Sequence, residues 1–529
     1  MDSLKIIANA HVITCDPNNR AGRYNLLIRD NRIVEISDKL DLFTSLYPYA
    51  TVIDASNKLI IPGFVNAHFH SESVLLRART DDLHCSLWKT DLRTQECIKA
   101  LIDSLNHDDV RNVYLMSYFS HLKSGTTCVG EFGLPFGDVN FNQMLLAMER
   151  TEVKNVVALQ NWDQIVRARE VRAGRHRFLV NIGKAEEFTV YGFENLTRAA
   201  KELAVPLIAH TGEQRREVEF IRGTFHRTIL SVLQDYNVVS PETVFVHLNH
   251  LSAQETEALS ESDASAVLCA RSAAFKRTGY PSLRHLANQR IRFAVGTDWG
   301  NVDILEELKF LHQLHFLISG IPPFTPPQLV RMGTINGAHA LGLSHETGSI
   351  EVGKKADLTF YSLNDMRLPV IPEFADTESL SSLLINHITS RDVSEVMIDG
   401  EFYLTNGEVM TMAEEEIVQG FRSTYSKFYG DDANKIIPSR TSELAGADQR
   451  PAPKILPFTH AGRASQPPEE GFESGFHVTE EPAPLFEVKS RIMSTQSSPK
   501  EEPPKEDTPL PKREQSKETW LTFGEDEEF

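Results

Sequence analysis

The chain has 529 residues, 41% of them hydrophobic, and a formal charge of −19. That length exceeds what one hydrophobic core serves, so a large domain with additions is expected, and the acidic balance excludes nucleic acid, whose phosphates need clustered Lys and Arg. No apolar run is long enough to span a membrane and the start, Met1-Asp2-Ser3-Leu4-Lys5, carries no secretory pattern, so a cytoplasmic address is expected.

In chain order, short alternating strands at 5–10, 25–29 and 32–37, the last two around the turn Asp30-Asn31, read as a small antiparallel unit. Similar strands return at 358–361 and 396–404, so segments 1–60 and 346–430 are expected to pair into one β-sandwich around a central insertion. Within that insertion, 61–345, apolar strands of about five residues alternate with longer amphipathic segments, as in repeated βα units. Strands are expected at 63–68, 126–131, 155–160, 178–182, 206–210, 243–247, 266–270 and 292–297, which suits a (β/α)8 TIM barrel of α/β class. From 431 to 529 prolines crowd and aliphatics thin out, so a disordered acidic tail is expected. Two islands in it, around Gly475-Phe476-His477-Val478 and Trp520-Leu521-Thr522-Phe523, mix aromatics with acids as segments that dock a protein partner do. An inert solubilising tail is the alternative.

The stretch Ile61-Pro62-Gly63-Phe64-Val65-Asn66-Ala67-His68-Phe69-His70 turns through Pro62 and Gly63 and resumes as a strand with two histidines two residues apart. Such a pair projects to one face and offers two nitrogen ligands to a metal. Five cysteines, Cys15, Cys85, Cys97, Cys128 and Cys269, lack C-x-x-C spacing, so they read as reduced thiols and any metal sits on nitrogen and oxygen. His210, His247 and Asp298 each stand at the carboxyl end of an expected strand, the rim on which TIM-barrel sites are built. Alone, His247 or His250 would read as structural, Asp298 as a helix cap and Glu213 as a surface carboxylate. Together they suggest hydrolysis, because Zn²⁺ acidifies its bound water and Glu213, three residues past His210, can carry the proton.

These residues resemble the amidohydrolase superfamily, in its branch of chlorohydrolase-like aminohydrolases and nucleoside or base deaminases. The likeness rests on Pro62 to His70, Asp81-Asp82-Leu83 with Trp88, Ser124-Gly125-Thr126-Thr127, His210-x-x-Glu213, His247-x-x-His250-Leu251-Ser252, Gly296-Thr297-Asp298, Thr334-Ile335-Asn336-Gly337-Ala338, and Gly348 to Leu358. It implies one divalent metal held by His68, His70, His210 and Asp298, with Glu213 as proton shuttle, His247 orienting the hydroxide or polarising the substrate, and Asp298 doubling as base. Zn²⁺ is the implied ion, and Fe²⁺ or Mn²⁺ suits the same ligands. His250 is implied to be structural, and a homo-oligomer is implied because such assemblies are common in the family.

The chain also departs from that branch. Gly183-Lys184-Ala185-Glu186 stands where adenosine-type deaminases carry a substrate-binding histidine, Ser272-Ala273 replaces the usual S-N, and Trp299 follows Asp298 where small residues are common. A nucleoside substrate is thereby put in doubt, while Lys184 or Glu186 becomes a candidate for touching substrate. The reading is a metal-dependent hydrolase that removes ammonia from a nitrogen heterocycle or related small molecule through metal-bound hydroxide. An amide or ring-opening hydrolase of the same superfamily, and a catalytically silent scaffold binding through its tail, are the alternatives.

Overall fold

The computed structural model describes residues 3–429 apart from 78–79, 81–82, 88–90, 134–136, 172–176, 184–189, 282–289, 320–322 and 364–374. Asp81, Asp82, Trp88, Lys184, Ala185, Glu186 and the tail at 431–529 therefore lie outside the described residues.

Five strands precede the barrel: β1 (Leu4–Ile13), β2 (Ala21–Arg29), β3 (Arg32–Ser37), β4 (Thr51–Asp54) and β5 (Lys58–Pro62). The barrel then takes β6 (Phe64–Phe69), β7 (Thr126–Glu131), β8 (Lys154–Leu159), β9 (Arg177–Asn181), β10 (Leu207–Thr211), β11 (Thr243–His247), β12 (Ser265–Leu268) and β13 (Arg292–Val295). All seven consecutive pairs are parallel. The eighth seam, between the first and last strands, is closed just beyond β13, where the Asp298 amide donates to the His68 carbonyl (2.9 Å) and the His70 amide to the Asp298 carbonyl (3.1 Å). Gly296 permits that approach, because a Cβ there would lie 2.8 Å from the His68 backbone.

Strand alternation sorts the side chains. Val65, Ala67, Val156, Ala158, Ile208, Val244, Val246, Val267 and Ala294 fill the barrel interior, while Phe64, Val129, Val157, Val180, Ala209, Phe245 and Val295 pack outward in the larger core with the helices. Helices separate successive strands, and two of them open on capping boxes, Asn106 with Asp109 and Ser252 with Glu255.

Four late strands, β14 (Leu358–Ser362), β15 (Val393–Ile398), β16 (Glu401–Thr405) and β17 (Glu408–Val409), join β1 to β5 in one nine-stranded sheet. The join is antiparallel, with Leu358 opposite Pro62 and Ser362 opposite Lys58. Ile60 points into this sheet's own core with Ile7, Val12, Leu26 and Leu358, whereas its neighbours Leu59 and Ile61 face the barrel side. The continuous strand expected over 396–404 is instead a hairpin. Asp399 and Gly400 take positive φ of 49° and 78° and turn β15 back into β16, as an Asp-Gly pair favours.

Candidate active site

Strand β6 carries the first two ligand candidates with the help of an irregularity. Between Asn66 and Phe69 it advances three residues while β7 advances two, from Val129 to Glu131, so one extra residue changes the parity. Val65 and Ala67 stay in the inner core, Asn66 and Phe69 both meet His121 behind the strand, and His68 and His70 share the mouth with ring centroids 5.0 Å apart. Asn66 ties the two closing strands together, donating to Thr297 Oγ1 (2.8 Å) and accepting from the Thr297 amide (3.1 Å). His121 holds Asn66 in turn through its Nε2 (3.0 Å), its Nδ1 being engaged by the Ser117 carbonyl (2.9 Å).

The other strand ends bring their residues to the same place. His210, next to last on β10, lies 4.8 Å from His68 and 5.3 Å from His247 between ring centroids. His247 ends β11 and, with φ of 79°, adopts a conformation that L-residues seldom hold. Asp298 is the centre of a γ-turn, with φ of 55° and the Trp299 amide donating to the Thr297 carbonyl at 2.6 Å. Such strain is characteristic of functional sites, where surrounding contacts hold it in place. Here it points Asp298 Oδ1 at Nε2 of His68 (3.5 Å) and of His70 (3.6 Å).

Among the described residues, three donor sets have all their ligand atoms within 4.8 Å of one another: His68/His210/His247, His68/His70/Asp298 and Glu213/His247/Asp298. The chemistry of the donors suits Zn²⁺ and neighbouring first-row ions. His68 gives the sharpest fit. It is fully buried, neither ring nitrogen makes a hydrogen bond among the described residues, and burial drives it down to about 4 against the opposing pull of Asp298. A neutral, desolvated imidazole of that kind is a metal ligand in waiting. His70 has its Nδ1 on Glu72 Oε1 (3.2 Å), an orientation that leaves Nε2 towards Asp298.

All six residues singled out from sequence, His68, His70, His210, Glu213, His247 and Asp298, are thus brought into one mouth. His250 stands apart, its Nε2 on the Thr278 carbonyl (2.6 Å), where it secures the loop around Gly279. Sequence reasoning passed over Phe132, whose ring packs edge-on to His68 at 4.1 Å, and above all Lys276. Lys276 ends the short helix Ala270–Lys276, is buried, and reaches both Asp298 Oδ2 and Glu213 Oε1, the latter at 3.4 Å. A signal was there: Lys276 lies four residues beyond Ser272, so one helix face presents both. Ser272 Oγ donates to the same Asp298 Oδ2 at 2.5 Å. Trp299 walls the site, 5.8 Å from the His70 ring, with its indole N–H on Thr80 Oγ1.

The Amidohydrolase family model matches residues 59–403, well over half of the chain. The chain belongs to the amidohydrolase family. As a member it is a hydrolase acting on carbon–nitrogen bonds, which sets aside the silent scaffold. Among its relatives, the 5-methylthioadenosine/S-adenosylhomocysteine deaminase of Moorella thermoacetica is 29% identical over 382 residues, spanning 69% of this chain and 86% of that protein. The 5'-deoxyadenosine deaminase of Methanosarcina acetivorans is 27% identical over 444 residues, spanning 79% and 96%. In fold this amidohydrolase matches a zinc-bound adenosine deaminase from Xanthomonas campestris with a TM-score of 0.70 at 21% identity, covering 80% of this chain and 98% of that one. It also matches the zinc complex of atrazine chlorohydrolase from Arthrobacter aurescens, with a TM-score of 0.72 at 17% identity, covering 80% and 100%. Among the described residues no helix is long and apolar enough to cross a membrane.

Proposed function

We propose that this amidohydrolase is a cytoplasmic, homo-oligomeric, zinc-dependent deaminase that hydrolyses an exocyclic amine from a small nitrogen heterocycle. The work is assigned to segment 61–345, with 1–60 and 346–430 as its support and 431–529 outside the catalytic unit. The observation that carries the reading is the meeting of Glu213, His247 and Asp298 beside the His68/His70 pair, a proton-handling set against a ligand set. Relatives named as deaminases over most of their length support it.

His68, His70, His210 and Asp298 would hold the ion, which supplies Lewis acidity and a water that ionises near neutral pH. Asp298 takes up the proton of the attacking water. Glu213 carries the water's second proton to the ring nitrogen beside the reacting carbon, and Asp298 hands its own to the departing amine, so the C–N bond breaks with loss of ammonia and a carbonyl remains. His247, with Nε2 4.0 Å from Glu213 Oε2, donates a hydrogen bond to the added oxygen. Phe132 and Trp299 flank His70 at 5.3 and 5.8 Å and give a flat substrate its walls.

The test is ammonia release by metal-loaded protein across aminated purines, their nucleosides, pyrimidines, pterins and triazines, with Glu213→Gln as the blank. Release that disappears in the blank is expected. A full metal complement with no release from any of them would overturn the deaminase reading in favour of amide or ring hydrolysis.

A further inference from the structure

The mouth offers a divalent ion more than one seat. The set His68/His70/Asp298 lies on the histidine side, whereas Glu213/His247/Asp298 gathers two carboxylates and one imidazole on the other, with ligand atoms equally close, within 4.8 Å. Carboxylates and imidazole together suit zinc and manganese well. An ion seated there would tie up the carboxyl that proton transfer needs.

Lys276 touches both carboxylates of this second seat, of which Asp298 alone is shared with the histidine side. Its ammonium touches Asp298 Oδ2 and lies 3.4 Å from Glu213 Oε1, and its side chain is only 2% exposed, so the charge is fixed in place. The Trp299 ring lies 5.5 Å from Nζ on another side. The helix that carries it is itself anchored, because Glu307 Oε1 accepts from the Arg271 amide at 3.1 Å. Asp298 is split as a result: Oδ2 is committed to Ser272 and Lys276, and Oδ1 faces His68 and His70.

We propose that Lys276 is a positioning residue whose ammonium closes the Glu213/His247/Asp298 corner to metal, confining the ion to the histidine side and keeping Glu213 for proton transfer. The physical cause is like-charge repulsion between a fixed ammonium and a dication competing for the same two carboxylates. Without the ammonium, two neighbouring buried carboxylates would recruit a cation. The role given to Glu213 rests on the deaminase reading, but the confinement of the metal does not.

The test counts Zn²⁺ and Co²⁺ per chain in reconstituted full-length protein and records the visible spectrum of the cobalt forms. Wild type and Lys276→Arg are expected to hold one ion. Lys276→Met is expected to take up a second, bound roughly a hundredfold more tightly than any further ion in wild type, with added cobalt absorption. Adding Glu213→Gln to Lys276→Met should abolish the second ion. On any substrate found, Lys276→Met should lower kcat far more than it changes KM. A folded Lys276→Met protein with one ion and the wild-type cobalt spectrum overturns the proposal. Should that variant not fold, Lys276→Gln carries the same expectation and the same overturning result. Absence of ammonia release from every compound would sink the deaminase reading and leave this metal count standing.

Discussion

The two ends of the barrel bury charge in opposite ways. At the amino end, Lys154 on the first position of β8 pairs with fully buried Asp357 and with Asp399 (3.0 Å), and Lys355 adds a second contact to Asp399 at 3.2 Å. Burial works against these charges, but their partners outweigh it, holding Lys154 above and Asp399 below their ordinary values. Around the carboxyl end the balance reverses. Burial pushes Glu131 up to about 7 and Glu307 up to about 8, and drives His68 down to about 4. Matched charge fastens the barrel to the outer sheet, while around the mouth burial outweighs the available partners and favours the neutral forms.

The contrast is sharpest if changes at the mouth cost activity and changes at the floor cost stability. Asp298→Asn should empty the metal site and lower turnover by about 10⁴-fold or more, since ligand and base are lost together; metal content and steady-state rates check it. Glu213→Gln should lower kcat by about 10²–10⁴ while metal content and Tm stay unchanged. Wild-type turnover there would break the assignment of the shuttle.

At the floor, Lys154→Met leaves Asp357 buried without its lysine, so a loss of about 3–5 kcal/mol in a denaturant titration is expected, with kcat per folded molecule preserved. Glu307 gives a pH test. Unfolded, its carboxyl titrates near 4.5, and folded near about 8, so the stability tied to its neutral form is full below 4.5 and is lost as pH rises to 8. Glu307→Gln keeps an acceptor for Arg271, and its Tm relative to wild type should climb by roughly a few °C between those limits. The smallest effect belongs to Asp399→Asn, whose carboxylate is 29% exposed: under about 1 kcal/mol.

Much of this was legible in the sequence because the barrel strands obey simple rules. Every one of β6 to β13 lies within two residues of its expected bounds, and β7 and β11 coincide with theirs. The ligand candidates were legible because each stands where an apolar run stops. Local pattern failed where a partner far away in sequence decides the outcome. The histidine pair suggested a plain strand, whereas the bulge that aims it is defined only against β7. Lys276 has only its spacing from Ser272 as a local signal, and its burial is set by Asp298 and Glu213, contributed by other strand ends. The hairpin at Asp399-Gly400 did have a local signal, overridden by the apolar residues on either side.

The pairing of β5 with β14 joins residues separated by about three hundred positions. During synthesis at about 5–20 residues per second, β5 therefore waits on the order of 15–60 s for its neighbour. Through that interval the amino-terminal half of the sheet carries an unpaired edge next to the apolar run Leu59-Ile60-Ile61, a surface on which other chains can add strands. All eight barrel strands precede β14 in the chain, so they are synthesised while the sheet is still incomplete. Chains interrupted before residue 358 would keep that edge open, and their hazard is aggregation.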